Sequence, residues 1–237
     1  MKAALGASLL AITKLIKCTI KPDRKEQFYR GQLAWSELDS CDGFEGQLGG
    51  WTNDEEAVVL GGWKSDEDVV RFMDTIHDSI FEKSKQSDTL SHCQIQYFEN
   101  VLNIPSLSNN DAPIEGCILR LAQCEEVQDV DRFMLDQTRV WNPEMQKAEG
   151  MLGGFVARSL THSNHFLVIT RWASILHHKN YRENIFPSLS RQIAPETYIN
   201  KLSGYVVHEI DSWKVAPNKC INGTFTRGAF FQRNTVI

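Results

Sequence analysis

The sequence has no cluster of lysine and arginine. Its 25 basic residues are scattered among 30 acidic ones, for a formal net charge of −5, so the basic footprint of a nucleic-acid binder is missing. No acidic tail is present either. The six cysteines, Cys18, Cys41, Cys93, Cys117, Cys124 and Cys220, make no C-x-x-C pair and no short Cys/His cluster. That spacing excludes a compact zinc site and shows no redox dithiol. No G-x-S-x-G elbow occurs, which removes support for nucleophilic hydrolysis. His92 and Cys93 are adjacent, but neighbours in a strand face opposite ways.

The opening "MKAALGASLLAITK" has an early lysine and a short apolar stretch, yet it runs directly into "KLIKCTI". Lys17 precedes Cys18 where a lipoprotein cleavage site requires a small residue, so no export signal is expected. Scattered, unpaired thiols fit a cytoplasmic protein. With 237 residues, 42% apolar and 23% charged, the chain can bury a core as one large domain or two smaller ones.

What the sequence does have is a repeat. Cys18 and Trp35 fall on Cys124 and Trp141 at an offset of 106, and Gly43-x-x-Gly46 falls on Gly150-x-x-Gly153 at 107. "VVLGGW" meets "LVITRW" at 109, and "FENVLNIP" meets "IDSWKVAP" at 112. The anchors keep their order while the offset grows, as loop insertions in a second copy would produce.

Each copy reads strand, helix, strand, strand, helix, strand. In the first, "AITKLIKCTI" ends at Pro22-Asp23. Phe28, Trp35 and Leu38 recur at helical spacing, and "EGQLGGW" and "EAVVLGGW" flank the turn "TNDE". From Ser65 a second helix starts among Asp66, Glu67 and Asp68, with an apolar stripe through Val69, Phe72/Met73, Ile76 and Ile80. "CQIQYFENVLNI" closes the unit.

The second copy has "CILRLAQC", a helix through Phe133, Val140 and Trp141, and strands around 151–160 and 165–172. A helix with Ile175, Ile185 and Leu189 follows, then "GYVVHEIDSW". This is the ferredoxin-like β-α-β-β-α-β order, and the fold class is α+β. Each sheet has one bare face, so two tandem units packed sheet to sheet form an intrachain dimeric α/β barrel. The boundaries are 12–105 for the first unit, 106–115 for a polar linker, 116–217 for the second unit and 218–237 for a tail. Phe225, Phe230 and Phe231 are expected to dock that tail. The glycine runs follow a helix and open a strand, the reverse of a phosphate-binding loop, so a tight turn and close backbone approach explain them.

The tandem units, the tryptophan ending strand three before an acidic helix start ("GGWKSDEDVVRFM") and the helix-one tryptophan resemble the dimeric α/β-barrel superfamily that includes the antibiotic-biosynthesis monooxygenase-like proteins. "KLIKCTIKPDRKEQFYRGQLAWSEL", "GFEGQLGGW" and "HDSIFEK" resemble the YdbC-type family of uncharacterised bacterial proteins, with the closer likeness in the first copy. The resemblance implies a pocket between sheet and helices that takes a small apolar or aromatic ligand. It implies one of two functions. The first is a cofactor-independent monooxygenase acting on an aromatic or polyphenolic compound, and the alternative is a non-catalytic ligand-binding or stress-related module. Haem-degrading members carry a ligand histidine beyond the position of His77. Glu82 and Lys83 stand there in this chain, and no histidine occurs among Leu189–Gln192, so no cofactor is expected.

The candidate catalytic residues are His77 and Asn53. His77 borders the helix-two stripe, four after Met73 and three before Ile80, either bonded to a carbonyl or facing the pocket as an acid/base. Asn53, beside Trp51 and Thr52, is set against the Asn, Trp and Tyr residues that bind substrate in cofactor-free oxygenases of this fold. The candidate substrate-binding residues are Trp35, Trp51, Trp63, Trp172 and His178, whose alternative roles are packing anchors and a satisfied buried histidine. Arg171 reads as an ion-pair residue before a substrate anchor. No nucleic acid or membrane partner is expected. The chain is expected to be a monomer with an internal pseudo-dimer, with further dimerisation left open.

Overall fold

Alternation in the strands decides the layers. In β1 (Ile12–Ile20), Leu15 joins one apolar cluster while Ile12, Ile16 and Cys18 join others on the opposite face, as the period of two requires. The structure, a computed structural model, describes residues 11–107 and 116–218, with the backbone of 220–221 and 224–225. Most of the expected linker, and the side chains of Phe225, Phe230 and Phe231, lie outside the described residues.

After β1 the first unit continues with α1 (Lys25–Gln32) and a 3-10 extension (Leu33–Ser40), then β2 (Phe44–Thr52) and β3 (Ala57–Trp63). It ends with α2 (Asp66–Thr75), α3 (His77–Ser84) and β4 (Leu90–Ile104). The second unit has β5 (Ile118–Val127), α4 (Val130–Asp136), a π turn (Gln137–Trp141) and α5 (Asn142–Lys147). It goes on through β6 (Met151–Ser159), β7 (Phe166–Trp172), α6 (Ile175–Asn184), α7 (Phe186–Ile193) and β8 (Ile199–Glu209).

All pairings are antiparallel, and the strands close into an eight-stranded barrel in the order β1-β3-β2-β8-β5-β7-β6-β4. The fold is thus the expected pair of ferredoxin-like sheets in one α+β barrel. An eight-stranded barrel is just wide enough for side chains to fill. Here Leu15, Leu48, Leu60 and Phe98 of one sheet meet Leu119, Leu121, Phe155 and Ile169 of the other. The helices cover the outside, so any cavity lies between helix and sheet.

The two seams differ. β4 pairs β6 from Phe98↔Ser159 to Ile104↔Gly154, whereas β2 pairs β8 only over Gly50–Thr52. The sequence reading aligned "IDSW" with the end of strand four, but Asp211–Trp213 is a 3-10 turn. It drives the buried Trp213 ring between Phe28 and Trp51, with centroids 5.8 and 5.2 Å away. A second correction concerns helix two. The apolar stripe through Ile76 does not lie on one continuous helix, because Ile76 takes φ −120° between α2 and α3 and is exposed. The second unit breaks at the matching Ile185 (φ −110°), where Pro187 opens α7 and cannot extend a helix from before it.

The duplicated glycines have one shared cause. Gly43 and Gly150 sit at φ +77° and +75°, Gly46 and Gly153 at +145° and +124°, and each strand is bulged beside them. Ser65 and Ser174 cap the helix that follows, accepting from the N–H of Asp68 and His177. Those two capped residues press on the first glycine of each pair, leaving only 2.1 Å to Asp68 and 2.2 Å to His177 for an added Cβ. Gly150→Ala should therefore lose about 1–3 kcal/mol from the left-handed backbone alone, with the clash adding to it. Urea unfolding of the variant against the parent measures that loss.

Candidate functional site

Each unit has a cavity between its sheet and its helices. The first is about 90 Å³, with Lys14, Trp35, Trp63, Phe72, His77, Phe81, Gln86 and Cys93 among its lining residues. The second is about 250 Å³, with Arg120, Gln137, Trp141, Trp172, His178 and Tyr181 on its wall, close to the roughly 300 Å³ at which small-ligand sites begin. Volume follows from substitutions at equivalent positions. Ala122 stands where the first unit has Ile16, Ser190 where it has Phe81, and Pro195 where it has Gln86.

The first cavity is largely filled by its own rings. Trp35 Nε1 donates to Gln86 Oε1 at 2.8 Å. The His77 ring lies 5.6 Å from those of Trp35 and Phe72 and 5.9 Å from Phe81, while its Nδ1 meets Asp78 Oδ1 at 2.9 Å. His77 faces this cavity as part of an aromatic cluster. Trp63 lines the same cavity and stacks on Phe72 at 4.8 Å.

Trp51 and Asn53 stand apart from it. Trp51 packs on Phe28 and Trp213 under the Lys25 ammonium. Asn53, in the β2–β3 turn, has its Oδ1 3.0 Å from His208 Nε2. Arg171 forms a two-pronged ion pair with the buried Glu209 at 2.7 and 2.9 Å.

The second cavity brings Trp172 and His178 together, the ring centroids 5.5 Å apart, and Trp172 Nε1 is satisfied by Thr170 Oγ1 at 2.9 Å. Two residues not singled out from the sequence complete it. Arg120 projects from β5 at the position of Lys14 in β1. Its guanidinium donates to the carbonyls of Leu121 and Tyr205, and it has no carboxylate partner among the described residues. Gln137, 5% exposed, has a buried Oε1 with no hydrogen-bond partner, a costly state for a buried acceptor. Among the described residues no aspartate or glutamate lines either cavity. The first holds the buried Lys14 and the second the half-buried Arg120, in a chain whose net charge is negative.

Burial sets the charge states. It pulls Lys14 down to about 8, against a smaller opposing effect of Cys93, and it lowers Arg120, whose guanidinium still stays protonated. His178 is brought down to about 4 by burial, with Arg120 and Arg182 adding repulsion, so it is a neutral imidazole at pH 7. Among the described residues no group of His, Cys, Asp and Glu is placed to hold a metal ion, and no helix is long and apolar enough to cross a membrane.

His178 makes stability pH-dependent. In the unfolded chain an imidazole titrates near 6.5, so as pH falls below that value the unfolded state binds a proton that the folded state refuses. The contribution is complete above about 6.5 and is lost as pH falls towards about 4. NMR titration should find the His178 ring changing charge near 4, and His178→Phe should flatten the loss of urea stability between pH 6.5 and 4.5.

Comparison with known proteins agrees with this architecture. Residues 12–98 match a domain of unknown function, DUF4937. The uncharacterised protein YdbC of Bacillus subtilis is 32% identical over 94 residues, spanning 38% of this chain and 78% of YdbC. Among solved structures, a candidate monooxygenase from Lactobacillus acidophilus superposes with TM-score 0.65 at 13% identity, over 90% of this chain and 98% of its own. One from Fusobacterium nucleatum gives 0.68 at 9%, over 86% and 94%. An anthrone oxidase-like protein gives 0.62 at 11%, over 84% and 91%. These likenesses reach across both units and share the monooxygenase-like ferredoxin fold. The sequence likeness falls on the first unit, the same stretch that matches DUF4937, and through it the chain belongs to the family of YdbC.

Proposed function

We propose that this protein binds a flat, hydroxylated aromatic anion in the cavity of the second unit and oxygenates it without a cofactor. The observation that carries this reading is Arg120, a guanidinium with no carboxylate partner among the described residues, on one cavity wall with Trp141, Trp172, Tyr181 and Gln137, whose Oε1 has no partner there. A ligand oxyanion would satisfy the first and a ligand hydroxyl the second. The rings of Trp141 and Trp172 would face its plane. The fold shared with candidate monooxygenases and with an anthrone oxidase-like protein supports the same chemistry.

Without a cofactor the substrate must itself supply the electrons. For a ring CH₂ activated by a neighbouring carbonyl, loss of one proton gives an enolate whose charge Arg120 would hold. Reaction with O₂ then converts CH₂ to C=O, one oxygen atom entering the product and the other leaving as water. The neutral His178 imidazole is a proton acceptor on the same wall, and the apolar lining excludes water, which strengthens the attraction between cation and enolate.

Dithranol, the 1,8-dihydroxy derivative of anthrone, is the test substrate. It should quench the tryptophan fluorescence of the protein and be turned over with uptake of one O₂. Arg120→Met should weaken binding by about 10- to 100-fold, as loss of a charged hydrogen bond does, and should abolish turnover. His77→Ala and Asn53→Ala, which alter the first unit, should leave both nearly unchanged. Tight binding with no oxygen uptake would assign the cavity to ligand retention instead, and an unchanged affinity in Arg120→Met would sink the site.

A further inference from the structure

Six cysteines with no close spacing gave no dithiol in the sequence, but the barrel makes one. Cys18 in β1 and Cys93 in β4 are direct cross-strand partners, with sulfurs 2.8 Å apart. That is well inside the roughly 3.5–4.0 Å at which non-bonded carbons rest. The pair's position in the ladder follows from its hydrogen bonds. Asn100 N–H donates to Ala11 O at 2.9 Å, which makes that opposed pair a hydrogen-bonded one. The register then runs without slip through Cys18↔Cys93, so Cys18 and Cys93 occupy a non-hydrogen-bonded pair. There the Cα atoms lie about 4.5 Å apart, within the range of about 4.4–6.8 Å that a disulfide spans.

We infer that Cys93 and Cys18 form a redox-active dithiol that reduces small hydroperoxides, with Cys93 as the attacking thiolate and Cys18 as the resolving thiol. Cys93 is exposed and Cys18 is buried, so an incoming oxidant meets Cys93 first. The hydrogen bond from Cys18 lowers Cys93, with the Lys14 ammonium adding to it, and the same contact raises Cys18. Lys14 has no carboxylate partner among the described residues. It rests against Met73 Sδ and over the rings of Phe72 and Tyr97, which leaves its charge available to a thiolate. Both sulfurs line the first cavity, whose 90 Å³ equals about three water volumes. That space suits hydrogen peroxide or a short alkyl hydroperoxide rather than a bulky peptide disulfide.

The step balances. The Cys93 thiolate attacks the terminal oxygen of ROOH, the O–O bond breaks, and RO⁻ takes a proton to leave as ROH, with Cys93 as the sulfenic acid. The Cys18 sulfur then attacks Cys93. The S–S bond forms as S–O breaks, and the hydroxyl leaves as water with the Cys18 proton. Two thiols are oxidised to a disulfide and one hydroperoxide is reduced to alcohol and water. Two small external thiols then reduce the pair by exchange and leave as their own disulfide.

The second unit supplies an internal control, since Cys124, equivalent to Cys18, faces Leu202 across the ladder and burial pushes it up to about 12.

The test is to treat the reduced, folded full chain with equimolar hydrogen peroxide, block residual thiols, and map peptides by mass spectrometry. The expected result is a Cys18–Cys93 disulfide with Cys41, Cys117 and Cys124 unoxidised. Cys93→Ser should slow peroxide consumption by about tenfold or more, and Cys18→Ser should leave a Cys93 sulfenic acid that a cyclic dione captures. No disulfide in the parent protein, a disulfide between other cysteines, or peroxide consumption unchanged in Cys93→Ser would each overturn the proposal. So would oxidation by diamide but not by peroxide. The parent-protein map needs no variant to fold, and none of these outcomes bears on Arg120 and the second cavity.

Discussion

A four-stranded sheet with helices on one side leaves its other side bare, and covering that apolar face is the requirement from which the rest of this molecule follows. Leu15, Leu48, Leu60 and Phe98 are buried only because Leu119, Leu121, Phe155 and Ile169 lie opposite them. Closing both seams also removes every free edge of the eight strands, and with it the exposed backbone groups that would otherwise recruit other chains. Since the space between the sheets is filled, open volume is left to the helix-covered outer faces. Both cavities are found there.

Most of the frame was legible because it depends on patterns that repeat. The glycine pairs at 43/46 and 150/153, the caps Ser65 and Ser174, and the tryptophans ending β3 and β7 occur at nearly constant offsets. Each reports a local constraint: a left-handed turn, an orphan N–H, a large ring with one polar atom. The continuous second helix was misread since a stripe of apolar residues shows amphipathic character without showing that φ leaves the helical range at Ile76. The final turn at Asp211–Trp213 was misread as strand because Trp213 is held by Phe28 and Trp51, residues far away in the chain.

The candidate site was less legible, for a physical reason. Trp172 and His178 stood out singly in the sequence and only the fold sets their rings 5.5 Å apart, while cavity volume depends on which side chains fail to fill it, here Ala122 and Ser190. Lys14 and Arg120 stand at one offset and were visible as residues. Their meaning, a cation in a cavity wall with no acid partner among the described residues, depends on side chains contributed by several distant elements. Cys18 and Cys93 are 75 positions apart, and nothing short of the strand register places one against the other. Asn53 was drawn towards a pocket by its neighbours Trp51 and Thr52, whereas the β2–β3 turn carries it to His208.

In a symmetric homodimer of such units a single gene writes both outer faces, so any change to one binding chamber is imposed on the other. Covalent fusion lifts that coupling. Val69 and His178, Phe81 and Ser190, and Cys93 and Leu202 are equivalent sites that have taken different residues. The shared inner wall holds both halves to one shape while the residues lining their outer chambers differ, leaving about 90 Å³ in one and about 250 Å³ in the other.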